Sequence, residues 1–117
     1  MGKSAWGIEL GTSSVKAVKL SEDRGSVTLD SISIVSLSDY GLGGGTGLNE
    51  ATAAALNAFR IQNGVKRGET VFVSIKGQNT LGRIISLPPV SDEKVRETIE
   101  NEAKSQVPIP LDQAVWD

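Results

Sequence analysis

Two apolar runs, Ala5 to Leu10 and Val15 to Leu20, are separated only by Gly11-Thr12-Ser13-Ser14. So short a connection folds the chain back on itself, and the opening therefore reads strand, tight turn, strand. A second polar turn, Ser21-Glu22-Asp23-Arg24-Gly25, leads into Val27 to Leu37, which is rich in β-branched residues. The apolar phase of that run shifts between Leu29 and Ile32, which predicts a bulge or a strand that changes the face it buries. Three consecutive strands before any helix commit the first third of the chain to a sheet.

The remainder alternates. Gly41-Leu42-Gly43-Gly44-Gly45-Thr46-Gly47 is the single low-complexity stretch and is expected to be a flexible connection. It follows a strand and precedes a helix, but fails as a phosphate loop: Leu48-Asn49 stands where a tubulin-like GTP signature continues with Ser or Thr and then Gly, and Thr46 replaces the third glycine of a dinucleotide fingerprint. The spacing of Leu48, Ala55, Leu56 and Phe59 predicts a helix capped by Asn49 and stopped by Asn63-Gly64. Thr70 to Ile75 is expected to be a strand buried on both faces, and Thr80 to Leu87 a further strand closed by Pro88-Pro89. A second helix should start at Ser91, favoured by Asp92 and Glu93 at its positive end, present Val95, Ile99 and Ala103 on one face, and run about 16 residues to Pro108. A last strand is expected near Val115.

At 117 residues, with 38% hydrophobic and 22% charged residues, the chain is long enough to bury a core. The absence of cysteine and histidine excludes disulfides, cysteine-ligated zinc and the commonest general base. A net charge of −2 without a basic cluster argues against nucleic acid as partner. No segment has the length and apolarity of a membrane helix or of a signal peptide, so direct membrane insertion is not expected and a cytosolic location is. Isolated tryptophans at strand positions, Trp6 and Trp116, are expected in the core.

One constellation carries chemistry. Glu9 ends a strand with a carboxylate, Gly11 lets backbone N–H groups approach an anion, and Thr12, Ser13, Ser14 and Lys16 add hydroxyl donors and a point charge. Such a set can surround a polyphosphate, with Glu9 holding water on a magnesium ion; a polar hairpin turn with a solvated lysine is the plain alternative.

The stretch from Trp6 to Leu20 resembles the first phosphate motif of the actin and sugar-kinase superfamily. Arg83-Ile84-Ile85-Ser86-Leu87-Pro88-Pro89-Val90, the acidic helix, and Val107 to Trp116 with its prolines are similar to the inserted subdomain of the PilM-type pilus assembly proteins, with the cell-division protein FtsA similar too. Glu9 stands where the superfamily usually has Asp. The resemblance implies an incomplete α/β fold: a ribonuclease-H-like, actin-like sheet over residues 1–76, and the start of an inserted small α+β subdomain over residues 77–117. It further implies a nucleotide-binding scaffold at the inner face of the inner membrane, part of a type IV pilus or related secretion platform. A longer parent would bind ATP and magnesium through Gly11, Thr12, Ser13, Ser14, Lys16 and Glu9, whereas this chain alone is expected to hold neither and to be no enzyme. The implied partner is the cytoplasmic peptide of a PilN-like inner-membrane protein, placed on Leu81, Arg83 and Ile85, which a strand would present on one face. Self-association of so short a chain is left open. An FtsA-like division protein and a sugar-kinase-type enzyme are the competing readings.

Overall fold

The computed structural model describes residues 2–117, and of Asn79 the backbone alone. The chain divides into two compact units, Met1–Asn79 and Thr80–Asp117.

The first unit is a four-stranded sheet with one helix. Strands β1 (Lys3–Leu10), β2 (Ser14–Asp23) and β3 (Ser26–Ser36) form an antiparallel meander; α1 (Leu48–Gln62) follows, and β4 (Val71–Ser74) returns parallel to β1, giving the order β3-β2-β1-β4. Three antiparallel strands followed by a helical crossover to a parallel one is the arrangement expected of a partial actin-like fold. Arg24 and Gly25 both take positive φ, 51° and 80°, which matches the right-handed twist of the strands that this two-residue turn joins. The predicted irregularity in β3 is a bulge: Lys19 pairs with Ser31 and Leu20 with Leu29, leaving Asp30 as the extra residue, its carboxylate accepting a 2.9 Å bond from the Ser21 hydroxyl. The bulge absorbs the phase shift, so Val27, Leu29, Ile32 and Ile34 all lie on one face.

The core fills the other face. Trp6 and Ile8 from β1, Val15 and Ala17 from β2, and Val35 with the following Leu37 pack against Ala51, Ala55 and Phe59 of α1. Positions 51, 55 and 59 recur at helical spacing, and small alanines let the helix approach the strands closely. Trp6 is 2% exposed and meets Phe59 edge to face with ring centroids 5.0 Å apart. Its cross-strand partner Lys19 holds an ammonium 5.7 Å from the indole centroid and bridges to Glu69 at 3.1 Å. The indole N–H has no partner in hydrogen-bonding geometry, yet lies close enough to Glu69 to favour its charged form. At the far end of α1, the Asn63 amide donates to the Ser33 hydroxyl and the Phe59 carbonyl, and Gly64 supplies the left-handed residue that ends the helix.

Several expectations change. Gly47, not Asn49, occupies the cap position of α1, because the helix already includes Leu48, whose carbonyl accepts the Thr52 hydroxyl. The glycine stretch is a wound turn, with positive φ at Gly41, Gly43 and Gly45 and a bridge between Leu42 and Thr46. Strand β4 is exposed along its whole length rather than buried on both faces, because it is the last strand at its edge and α1 lies over β2 and β3.

In the second unit α2 spans Asp92–Gln106, with Ser91 at the cap position and Ala103 buried. The Ser91 carbonyl accepts from Lys94 at 2.9 Å, but its hydroxyl makes no capping bond. Neither predicted strand of this unit forms. Residues 80–87 and 114–117 lack strand structure, since a strand requires a ladder partner and the unit supplies no paired segment among its described residues.

Trp6→Ala should lower unfolding free energy by about 3–5 kcal/mol, the cost of an aromatic-sized core cavity, in chemical denaturation. Glu69 gives a pH signature. The Lys66 backbone N–H first, and the Lys19 ammonium second, hold its carboxyl below the ordinary value of 4.5. A carboxyl with a depressed folded pKa stabilises above its unfolded value and loses that contribution as pH falls through the folded one. Glu69→Gln should therefore melt earlier than the parent at pH 7, with the gap closing as the pH drops below 4.5.

Candidate functional site

The turn between β1 and β2 is held from both sides. The Gly11 N–H donates to the Ser14 carbonyl at 3.0 Å, and the Ser13 carbonyl accepts from the Leu37 N–H at 2.9 Å, which ties the turn to the end of β3. A Cβ at Gly11 would sit 2.7 Å from the Ser14 carbonyl oxygen, so glycine is required by close backbone approach. With those two groups committed, the amides of Thr12 and Ser13 make no backbone hydrogen bond among the described residues, and both side chains are exposed. Adjacent free N–H groups beside hydroxyls suit an anion.

Strand alternation divides the remaining candidates. Ile8 and Val15 turn into the core, and Glu9 and Lys16, direct partners across the β1–β2 ladder, lie on the opposite face and are exposed. Ser14 is half-buried at the start of β2. Ser74 of β4 stands beside Glu9. Among the described residues no three histidine, cysteine or acidic side chains gather as a metal cluster, so Glu9 stands at this edge as a single carboxylate.

Sequence reasoning missed what the parallel pairing of β1 and β4 brings to the same edge. Gly11 lines a small cleft of about 100 Å³ with Leu48 and Asn49 at the start of α1, Thr52, and Ile75 and Lys76 just after β4. Lys76 follows the carboxyl end of a parallel strand, where open α/β sheets place ligands, and that position was its only signal. A cleft of this size is well below the roughly 300 Å³ at which pockets begin to enclose a small molecule.

The second candidate set separates. With no strand over residues 80–87, a period of two does not place Leu81, Arg83 and Ile85 together. Arg83 and Ile85 line a groove of about 530 Å³ with Val95, Ile99 and Trp116, which Leu81 does not join. Arg83 is exposed, as a guanidinium without a buried partner should be. Trp116 is half-buried in this groove rather than a core strand residue, with the Arg96 guanidinium 4.8 Å from its ring centroid. Arg96 and Trp116 are twenty residues apart, and nothing local in the sequence announces that contact.

A family model described as type IV pilus assembly protein PilM matches residues 7–117. No curated protein and no solved structure matches the chain.

Gly11→Ala should shift the turn, because the added Cβ meets backbone and not a movable side chain. Expected is a loss of about 1–3 kcal/mol in thermal or chemical unfolding, against less than about 0.5 kcal/mol for Thr12→Ala at the same exposed turn.

Proposed function

The chain belongs to the PilM family of type IV pilus assembly proteins, and from that premise we propose that it supplies the phosphate-binding edge of a cytoplasmic, nucleotide-binding scaffold at the inner face of the inner membrane. The observation that carries this reading is the turn at Gly11–Ser13, where two unpaired amides and two exposed hydroxyls stand at the edge on which β1, β4 and the start of α1 end. In a longer protein containing this chain, the Thr12 and Ser13 N–H and hydroxyl groups and the Ser14 hydroxyl donate to phosphate oxygens of ATP. Lys16 adds a positive charge, and Glu9 accepts from water on the magnesium ion. The rest of a nucleotide exceeds the small cleft beside Gly11, so its base and sugar require further walls.

The groove beside α2 is proposed as the seat of the cytoplasmic peptide of a PilN-like inner-membrane protein. Ile85, Val95 and Ile99 give it an apolar floor, and Arg83 offers a charged donor at its rim. An extended peptide with apolar anchors and a carbonyl or carboxylate suits that combination. Leu81, outside the groove, is not needed for it.

In the full-length protein Lys16→Ala should weaken ATP binding by about 1.5–3 kcal/mol, the range for a charge-assisted hydrogen bond, in titration calorimetry. Unchanged affinity would remove the phosphate assignment. Arg83→Glu should leave the melting temperature nearly unchanged and abolish capture of the labelled peptide in fluorescence polarisation; retained capture places the peptide elsewhere.

A further inference from the structure

Among the described basic side chains of the first unit, Lys19 and Lys76 are half-buried and the others are exposed. These two differ in what meets their charge. Lys19 bridges to Glu69 at 3.1 Å, whereas the Lys76 ammonium has no ion pair or hydrogen bond among the described residues. A cation that gives up part of its hydration needs an acceptor in return. The cleft of about 100 Å³ that Lys76 lines offers no acidic side chain: Leu10, Leu48 and Ile75 are its apolar walls, along which a lysine stem is readily buried, and Gly11, Asn49 and Thr52 complete it.

The polar side chains of the cleft are not all free. The Thr52 hydroxyl is committed to the Leu48 carbonyl at 2.8 Å, which leaves the Asn49 amide and the Lys76 ammonium without internal partners among the described residues. At roughly 30 Å³ per water molecule the cleft has the volume of about three waters, room for one phosphoryl group and not for a nucleotide.

Its place in the sheet relates it to Lys16. Strands β2 and β4 flank β1, Glu9 is the ladder partner of both Lys16 and Ser74, and Lys76 lies two residues beyond Ser74. The two lysines are therefore two strand spacings across and two residues along, on the order of 12 Å apart between backbones. Their flexible four-carbon stems can approach one polyphosphate chain from either side of β1. A cleft that admits a single phosphoryl group seats the free end of such a chain, since an inner phosphoryl carries a bridging oxygen on both sides.

Resting on the phosphate reading of the Gly11–Ser13 turn, we infer that Lys76 holds the terminal phosphoryl group of the bound nucleotide and so determines a preference for ATP over ADP. ADP held by the same turn amides and Lys16 falls one phosphoryl group short of the cleft.

The test is titration calorimetry of the full-length protein with ATP and with ADP, each with magnesium. Lys76→Met keeps an unbranched stem and removes only the charge. It should weaken ATP binding at least about tenfold, the lower end for a lost charge-assisted hydrogen bond, while leaving ADP binding and the nucleotide-free melting temperature nearly unchanged. Unchanged ATP affinity, equal losses for ATP and ADP, or a lowered nucleotide-free melting temperature, the mark of an ion pair within the protein, would each overturn the inference. Lys16→Ala measured alongside separates the two readings. ATP affinity lost with Lys16→Ala and kept with Lys76→Met removes the terminal seat alone; ATP affinity kept in both removes the phosphate-binding edge as well.

Discussion

The burial of Trp6 is the constraint from which the rest of the first unit follows. Its indole is enclosed by Phe59 of α1 edge to face, by the Lys19 ammonium and by the approach of Glu69. One side chain thus connects the hairpin, the helix and the segment entering β4, whose Thr70 carbonyl accepts the Trp6 N–H of the backbone at 2.9 Å. Because side chains alternate along a strand, fixing Trp6 inward also fixes Ile8 inward and Glu9 outward. A slip of one residue would turn Glu9 into the core in place of Ile8, which a carboxylate without a partner does not tolerate.

The chemistry at the sheet edge inherits this register. Lys16 faces Glu9 because Val15 packs against Val35 on the core side, and the turn between them is tight because Gly11 has no side chain to resist the Ser14 carbonyl. The same alternation that fills the core therefore leaves amides, hydroxyls and one pair of charges at the edge where the parallel strands end. The sheet is consequently two-faced: one side buries an alanine-rich helix, and the other carries Val27, Leu29, Ile32 and Ile34 of β3 exposed.

The second unit rests on different physics. Thr80–Asp117 is close to the roughly 40 residues below which a chain seldom sustains a core unaided, and only Ala103 in it is buried among the described residues. Its order comes from local features, the acidic first turn of α2 and the prolines that bound it, and from the packing of Trp116 beside Arg96. Ile84 is fully exposed and Ile85 half-buried in the groove, so the segment before α2 offers apolar surface without the ladder that would make it a strand.

Periodicity and turn chemistry by themselves determined the hairpin, the irregularity in β3, the core face of α1, the extent of α2, and a glycine turn followed by hydroxyls and a lysine. All of these are decided by residues within a few positions of one another. The exposure of β4, the absence of strands over residues 80–87 and near Val115, and the meeting of Arg96 with Trp116 were decided only by tertiary structure, because strand formation and burial depend on which distant segment is available to pair or cover. The arrival of Lys76 and the start of α1 beside Gly11 belongs with them. Each depends on the register between strands, and register is a long-range quantity: here it is set by a tryptophan in the core that must meet a phenylalanine more than fifty residues further along the chain.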